Sequence, residues 1–549
     1  MFTGIFGKSG LAKENPSGTF VAPTKFMRFI PPFQFSRDIE LIISQAISGV
    51  ADVVTKVVQG AALLKSGKIN FEVEPEGGLG EHLMAAFGTD TATEIASFVV
   101  TGHTVFTVTL NTNDFLDFIE DAGAEVSAQI TAGTYTVYEL CAAIKTAMEA
   151  VNGASTYTVT FNLTTRKFTI TKSSGVFVGK FTDGTNNAKS IRALIGFTVN
   201  SASAIAATSD TAVTHASAND AIDFTEDAGS LVTAFLTAGT YLIGASSAVA
   251  GSLCKLIKDQ MEISNGTIST YVVTYSYATK KFTITKDSGV FVLKWTTGTN
   301  AGIAAMGLLG FSADSASAIA AVSNSTTAAF VMSHVFTRLA DAVLPTYSWW
   351  QKNGVNYPQF TGCMLNTIEF SIKAKEFILA AADWAGLKYE PAGATQSDSY
   401  SPLVPFKFSQ AALTVGGVAN VDYEELKVKL DNMVNPLHVV GNGIDASKIY
   451  SQGFKVSLTA SLLVENSTEW DKFIAGTASS FAVLVTGAEY IKGTIHHTLA
   501  FDIPETYYQA APIPIGKDLI KIAFTAVAQR NVAQGYAGKM TLVNGEPQY

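Results

Sequence analysis

The sequence has few cysteines, few charges and no long uninterrupted apolar run. Its three cysteines, Cys141, Cys254 and Cys363, are too few and too scattered over 549 residues for a disulfide framework or a zinc site. Only 15% of the residues are charged, yet polar residues such as Asp52 interrupt the most apolar stretch, residues 39–64. No window there is apolar enough to span a bilayer, so the composition argues against a membrane protein.

The sequence also lacks an excess of basic residues, since its formal net charge is −9. Lysine and arginine drive binding to duplex nucleic acid by releasing counterions from the phosphates. The charge therefore argues against a protein that wraps nucleic acid. It remains compatible with an acidic surface past which DNA slides.

One segment of the chain occurs twice in tandem. KFTITKSSGVFV at 167–178 returns as KFTITKDSGVFV at 281–292, and the flanking sequences also match. Self-similarity of this kind indicates duplicated structural units. We therefore predict two inserted repeat modules, at 113–211 and 218–325.

Each module reads as a small α+β unit. Thr136 and Glu139 form a capping box before a helical stripe, while TYTVTFN and KFTITK alternate as half-buried strands do. Cys141 and Cys254 occupy equivalent helix positions, which is compatible with paired reactive thiols or with half-buried packing inherited by duplication. We favour packing. The Thr-, Ser- and Asn-rich outward faces favour a surface appendage over a catalytic pocket.

The sequence that frames the modules also resembles itself, because PFQFS at 32–36 pairs with PFKFS at 405–409. The fold class that we predict is mainly β: two β-sandwich or barrel units, each with one short helix, plus the two inserted α+β modules. We predict an N-terminal arm at 1–25, a discontinuous first unit at 26–100 and 328–398, and a second unit at 399–549. We expect the chain to be made in a cytoplasm and to lack a signal peptide.

Each unit has a strand followed by a short helix. In the first unit INFEVE precedes a helix that runs through Leu79 to Phe87 and ends at Gly88. In the second unit FKVSLTASLLVE precedes a helix capped by Asn466 and Glu469, with an apolar stripe on its first turns. That stripe is formed by Trp470, Phe473 and Ile474. Later strands are predicted at NTIEFSIKAKEF, FAVLV, GTIHHTLAFDI and LIKIAFTAVA.

No motif in the sequence indicates catalysis, a cofactor or a metal. The segment FEVEPEGGLGEH offers acidic residues and a histidine for acid–base work or a cation site, but a solvated strand face explains Glu72 and Glu74 better. The adjacent His496 and His497 point to opposite faces of a strand, so they cannot chelate one ion together. YSWWQKNG is compatible with an aromatic binding platform, although buried packing beside a turn is favoured. We predict that the protein is not an enzyme.

The framing sequence resembles the tail tube proteins of long-tailed bacteriophages. The likeness is carried by GKINFEVEPEGGLGEHLMAAFGT, HVFTRLADAVLPTYSWW and FTGCMLNTIEFSIKAKE, and by HHTLAFDIPETYYQAAPIP, LIKIAFTAVAQ and MTLVNGEPQY. It covers roughly residues 26–88 and 330–549. The chain differs from the simplest members in having two tube units and a large insertion.

The resemblance implies a virion protein that polymerises into stacked rings around a channel for DNA. Its partners would be other copies of itself, the tape-measure protein, and the tail terminator and distal tail proteins, with DNA only in passing. Two units per chain imply three chains in each ring, and the alternative is six chains with the second unit outside the barrel as an elaboration. Alternatives are a virion decoration or fibre protein that binds a host glycan or protein, and a hydrolase acting on the host envelope.

For a tube, we expect carboxylates rather than a basic stripe on the channel wall. Lumenal lysine or arginine would hold phosphates, whereas repulsion screened over about 8 Å keeps DNA mobile. The candidates are Glu72 and Glu74, which alternate with Ile69 and Phe71, and additionally Glu369. An outer or interface location for these residues is the competing prediction.

Overall fold

The structure is a computed structural model, and it describes two compact bodies. The scaffold body comprises Met1–Ala96 and Phe330–Tyr549, and the insert body comprises Ser97–Ala329. The described residues are all those outside 1–6, 33–34, 44–56, 67, 96–97, 163, 215–217, 278, 325–329, 339–342, 392, 421–422, 441–442, 464–467 and 512–520.

The elements are numbered along the chain. The first part of the scaffold body contains β1 Lys8–Lys13, β2 Lys25–Phe26, β3 Phe29–Ile30, β4 Ser36–Ile43, β5 Val57–Lys65, β6 Ile69–Glu72, α1 Leu79–Phe87 and β7 Thr91–Glu94. The insert body contains β8 Phe98–Val100, β9 Phe106–Val108, β10 Phe115–Glu120, β11 Glu125–Gln129, β12 Gly133–Tyr135, α2 Val137–Val151, β13 Tyr157–Asn162, β14 Lys167–Lys172, β15 Phe177–Gly179, α3 Arg192–Ile195, β16 Ala206–Thr208, β17 Ala221–Glu226, β18 Val232–Phe235, β19 Gly239–Tyr241, α4 Leu253–Ser264, β20 Tyr271–Ser276, β21 Lys281–Lys286, β22 Phe291–Leu293, α5 Met306–Leu309 and β23 Ala320–Val322.

The rest of the scaffold body contains β24 Met332–Thr337, β25 Tyr347–Lys352, β26 Gln359–Lys373, β27 Leu379–Gly386, β28 Lys388–Glu390, β29 Ala411–Val415, β30 Val418–Asn420, β31 Tyr423–Asp431, β32 Val434–Leu437, β33 Lys448–Ser451, β34 Lys455–Leu463, α6 Thr468–Ala475, β35 Ser479–Lys492, β36 Ile495–Ala510, β37 Lys521–Ala528 and β38 Lys539–Asn544. Short 3₁₀ turns occur at Asn187–Lys189, Ala301–Ile303 and Phe408–Gln410. The mainly β fold predicted from the sequence is confirmed.

Eight strands of the scaffold body form one continuous antiparallel ladder, which we call the long ladder. Its order is β4, β5, β27, β26, β31, β34, β37 and β36. The first four strands come from the first half of the body, before residue 391, and the last four come from the second half. In both halves the strands take the order first, second, fourth, third along the chain.

A second group of strands repeats in the same way. In the first half β2, β1, β25, β26 and β28 pair in that order, and in the second half β30, β29, β35, β36 and β38 do so. Strands β26 and β36 belong to both groups because each is long enough to leave one sheet and enter the other. The strand order of the first half therefore recurs in the second.

The two halves share one core rather than forming separate units. A single cluster of buried side chains includes Trp384 from the first half and Phe501 from the second. Strand β24 of the first half also pairs with β38 of the second. The sequence predicted two tube units, whereas the paired strands place the apolar faces of both halves against a common interior.

The predicted helices occur where the patterns indicated them. Helix α1 ends at Gly88, whose positive φ of 81° suits glycine. In α6, Trp470 and Phe473 pack against the core, but Ile474, the third residue of the predicted apolar stripe, is 67% exposed, so the prediction is wrong for that residue. The proposed cap Asn466 lies outside the described residues.

Two predictions about the outer repeat differ from the structure. Residues 1–25 were expected to be an arm, but β1 pairs with β25 along six residue pairs and buries Leu11 and Ala12. The PFQFS and PFKFS motifs are not equivalent either, since the first leads into β4 and the second into β29, the counterpart of β1. A short aromatic and polar motif can enter different strands, because its pattern specifies burial and not a pairing partner.

The insert body contains two similarly built modules. The first has sheets β11–β10–β15 and β13–β14–β16, and the second has β18–β17–β22 and β20–β21–β23. The capping box at Thr136 and Glu139 is confirmed in α2. Cys141 and Cys254 are both buried, and burial raises the pKa of the Cys141 thiol to about 12.

The first strand of each module comes from the segment before the first repeat. Strand β9 pairs with β12 of the first module, but the preceding β8 pairs with β19 of the second. Strands β8 and β9 are equivalent, because the residue after each donates its backbone N–H to an equivalent asparagine. Thr109 N donates to the Asn113 side chain at 2.6 Å, and Thr101 N donates to the Asn219 side chain at 2.7 Å. The first module is therefore nested inside the second, a topology that the linear sequence repeat does not reveal.

Candidate functional site

The long ladder has one apolar face and one polar face. Directly opposed residues of an antiparallel sheet share a face, so the pairing assigns each side chain without ambiguity. Core-facing positions such as Ile368, Val428 and Leu458 are buried. The charged side chains of the polar face are Asp38, Lys65, Glu72, Glu369, Lys373, Asp383, Glu425, Lys427, Lys429, Asp431, Lys455 and Lys521.

Two of the three sequence-predicted carboxylates lie on this polar face. Glu369 lies opposite Ala381 of β27, and Glu72 lies opposite Leu379 of the same strand. Because Ala381 and Leu379 are two residues apart in β27, both carboxylates point to the same side. The shared face of Glu72 and Glu369 could not be read from either strand alone.

Glu74 differs from the other two. Strand β6 ends at Glu72, and the Glu74 carboxylate forms an ion pair with the Arg28 guanidinium at 2.8 Å. Partial burial raises the pKa of Glu74, and Arg28 opposes that rise. Glu74 is therefore tied to a local partner beyond the end of the strand.

The polar face carries charges of both signs. Strand β31 contributes lysines beside carboxylates, with Lys427 Nζ 2.7 Å from Glu425 and Lys429 Nζ 3.6 Å from Asp431. The candidates Glu72 and Glu369 come from β6 and β26, and these two carboxylates alone do not represent the charge of this face. The face has paired charges instead.

The two halves meet on this face at the junction of β26 and β31. Seven consecutive residue pairs join the strands, from Thr367 opposite Asp431 to Lys373 opposite Glu425. Glu369 lies directly opposite Lys429. Opposite charges at facing positions each stabilise a sheet by about 0.2–1 kcal/mol, so the junction is favoured by charge as well as by backbone hydrogen bonds.

Both ends of the long ladder are open within the described part of the chain. Strand β4 pairs there with β5 alone, so its other edge has backbone groups available for another strand. At Ala510, its last residue, β36 pairs with β37 alone in the same described part. Open edges invite pairing with another chain, and a monomeric protein commonly covers or charges them.

The hairpin formed by β4 and β5 exposes apolar side chains next to one of these edges. Leu41, Ile42 and Val58 are 60%, 59% and 58% exposed. Three large apolar side chains grouped on one exposed hairpin are typical of a protein–protein contact. The hairpin and the open edges are therefore the candidate assembly surface of the scaffold body.

Two of the titratable groups that FEVEPEGGLGEH offers for chemistry, Glu81 and His82, lie in the core. His82 is fully buried, and desolvation lowers its pKa to about 4, while its Nδ1 lies 2.8 Å from the Gly78 carbonyl. Burial raises the pKa of Glu81, which accepts a hydrogen bond of 3.0 Å from Tyr347. These groups stabilise packing beside α1 and present no reactive atom to solvent.

The remaining candidates are structural. Trp349 and Trp350 of the YSWW segment are buried in the scaffold body, as the packing alternative predicted. His497 is buried and His496 is partly exposed, on opposite faces of β36. No cluster of three potential metal ligands occurs among the described residues. None of the helices in the described ranges is both long and apolar enough to cross a membrane.

Comparison with known protein families identifies the class to which this chain belongs. The family described as phage tail tube protein matches residues 228–528, which is more than half of the chain. The chain therefore belongs to the phage tail tube protein family. A comparison with curated proteins returned no match. Membership identifies a structural component of the virion tail that assembles with copies of itself.

Proposed function

We propose that this protein forms the tail tube as stacked rings in which the long ladders of neighbouring chains join into one barrel around a DNA channel. The long ladder carries the proposal, because a sheet with one buried face, one polar face and two open ends is suited to closure by copies of itself. Assembly takes place in the host cytoplasm, around the tape-measure protein and between the terminator and distal tail proteins.

Three chains would make one ring. Each half of the scaffold body contributes four strands in the same order, so three chains supply six equivalent sectors. Electron microscopy of the purified protein should show rings or tubes, and native mass spectrometry of the rings should give three chains. Six chains per ring would contradict the trimer, and monomers without rings at any concentration would contradict the tube.

The polar face would line the channel, with Glu72 and Glu369 among the wall residues. Its mixed charges support passage because neighbouring lysines and carboxylates neutralise one another, so the wall offers phosphates no continuous basic track. Changing Glu72 and Glu369 together to lysine would create such a track. Phage with both changes should assemble tubes and eject DNA more slowly, with a stronger delay at low salt.

A control is Glu489→Lys, the same type of charge reversal at one exposed position of β35, to be compared also with Glu72→Lys and Glu369→Lys as single variants. Ejection at the unmodified rate in the control and a delay only in the double variant would support the wall. Equal rates in both would contradict it. Glu74→Lys tests the remaining sequence candidate, whose ion pair with Arg28 lies beyond the strand.

A further inference from the structure

We propose that the two open ends of the long ladder pair with each other between copies of this chain, Ala510 and Ala511 of one copy with Asp38 and Arg37 of the next. The strands run antiparallel, with Ala510 opposite Asp38. The inference rests on the proposed function and deepens it, because it names the strands that close the ring and their register. It is derived from the junction that already joins the two halves within one chain.

The first step aligns β36 with β26. The register between β26 and β27 shifts between Leu365 and Thr367, and the register between β36 and β37 shifts between Tyr508 and Ala510. A bulge is a fixed feature of a strand pair because it adds one residue to one strand only. The matching bulges make Ala510 the counterpart of Thr367.

The second step carries this alignment across the neighbouring strands. One residue before each bulge pair, Met364 lies opposite Ala385, and Tyr507 lies opposite Val527. Ala385 and Val527 are therefore equivalent. On their far sides lie Lys65 of β5 and Ser457 of β34, respectively.

The third step reaches the open edge. Two residues before Lys65, Leu63 lies opposite Asp38, and two residues before Ser457, Lys455 lies opposite Asp431. Asp38 of β4 is thus the counterpart of Asp431 of β31. The same residue type stands at both positions, although the alignment did not use residue identity.

The register of the contact between chains follows. Within one chain, Thr367 lies opposite Asp431 across the junction of the halves. Replacing each residue by its counterpart places Ala510 opposite Asp38. Both residues are exposed in the single chain. A contact that joins different edges of identical subunits repeats from chain to chain and closes a ring when the rotation allows.

The hairpins supply a second observation. Within one chain, the hairpin of β32 and β33 reaches the strands β4 and β5 of the first half. His438 Nε2 donates to the Ala62 carbonyl at 3.0 Å, Ala62 N donates to the Ile444 carbonyl at 2.7 Å, and Arg37 forms an ion pair with Asp445 at 2.7 Å. The second half therefore uses its hairpin to hold the first.

The counterpart of that hairpin is the extension of β4 and β5 beyond Asp38. Its apolar residues Leu41, Ile42 and Val58 are exposed in the single chain. By the same relation it would lie over the second half of the adjoining copy, whose β36 pairs with β4. A second copy is therefore the occupant that covers these side chains.

Cysteine cross-linking tests the register directly. Facing residues of antiparallel strands have Cα atoms about 4.5–5.5 Å apart, within the range of about 4.4–6.8 Å that a disulfide requires. Tubes of the Asp38→Cys, Ala510→Cys variant should give covalently linked chains on mild oxidation, separated on a non-reducing gel. The native cysteines are buried and serve as an unreactive background.

Two controls define the result. Thr367→Cys with Asp431→Cys should form the equivalent disulfide inside one chain, which shows that the geometry is reactive. Ser36→Cys with Ala510→Cys places the thiols on diagonal positions about 7–8 Å apart and should link poorly. Links between chains only in the facing pair support the inference. Tubes without those links, alongside a reactive internal control, overturn it and leave the tube itself intact.

The number of chains in the largest cross-linked species tests the proposed stoichiometry independently of the register. Linked species that end at three chains support both, and species that end at six contradict the trimer while supporting the register. If the cysteine variant does not fold, Ile42→Glu gives an independent reading. It should remain a folded single chain that forms no ring, whereas Ile268→Glu, a change at an 86% exposed residue of the insert body, should assemble. Normal rings from Ile42→Glu would contradict the hairpin contact.

Discussion

The two halves of the scaffold body and the two modules of the insert body are both repeated arrangements, but they are joined differently. The halves share a ladder and one core. The buried core residues described for the first module lie between Phe106 and Ala207, and each module has its own sheets. Strands β14 and β21 are identical in sequence and burial, KFTITK in both, whereas β26 and β36 retain only their topology.

The difference shows how packing governs what a repeat retains. A module that buries its own core must satisfy the same contacts in each copy, so the same residues serve twice. Two halves that pack against each other give equivalent positions different neighbours. The residues at those positions are then selected to fit the other half, so the sequences of the two halves diverge. Where the modules touch, they too differ: a side chain at Gly302 would meet the Tyr138 hydroxyl of the other module, while the counterpart of Gly302 in the first module is Ala188.

The largest expected effect comes from breaking the shared core. Trp384 is fully buried and packs against Trp349, Tyr347 and His82. Trp384→Ala should lower the free energy of unfolding by about 3–5 kcal/mol. Hydrogen exchange followed by mass spectrometry should show both halves losing protection together. Loss confined to the first half would contradict a single cooperative core.

Acidification should destabilise the scaffold body through His82, and this effect should be absent from the insert body. Its pKa is about 4 in the folded protein against 6.5 ordinarily, so the unfolded chain binds the proton first. The stability that His82 contributes is complete above pH 6.5 and is lost as the pH falls towards 4. The full shift corresponds to about 3 kcal/mol. Urea unfolding of the scaffold body between pH 7 and 4 measures it.

The matched variant for this prediction is His82→Phe, which removes the titration but keeps an aromatic ring. Its scaffold body should lose less stability on acidification than the wild type does. An unchanged pH dependence in the variant would assign the loss to other groups. Exchange in the insert body should not respond to the substitution.

A smaller effect tests the equivalence of the modules. Tyr157 donates a hydrogen bond to Glu120, and Tyr271 donates one to Glu226. Burial, followed by the adjacent carboxylate, raises the pKa of both phenols. Tyr157→Phe and Tyr271→Phe should each destabilise the altered module by about 2 kcal/mol. Calorimetry should give similar shifts, and unequal shifts would show that the copies have diverged in energy.

The smallest expected effect is that of removing the insert body. Ile95 N donates to the Val331 carbonyl at 2.9 Å, and β7 pairs with β24, so the two ends of the insertion are neighbours. Replacing residues 97–329 by a short Gly-Ser linker should therefore leave rings unchanged in electron microscopy. The sequence repeat indicated a deletion that begins at residue 113. That deletion would remove β12 and β19 and leave β9 and β8 without their pairing partners. A folded deletion variant that forms no ring would contradict the prediction.

The sequence by itself determined the local elements and the family. Alternation predicted strands at KFTITK and NTIEFSIKAKEF, the Thr136–Glu139 capping box predicted α2, and Gly88 marked the end of α1. These signals are local because they depend on side-chain direction and on capping groups within a few residues. Local signals also produced the wrong prediction of an arm at residues 1–25, because β1 becomes recognisable as a strand only through its pairing with β25.

Only the tertiary structure decided which strands are neighbours. The union of the halves, the shared face of Glu72 and Glu369, and the pairing of β8 with β19 all depend on contacts between distant residues. An alternating strand specifies which side is buried but not the partner at its edge, since backbone hydrogen bonds are the same for every sequence. The bulges at Asn366 and Gln509 fix the register, and they become visible only when the opposing strands are in place.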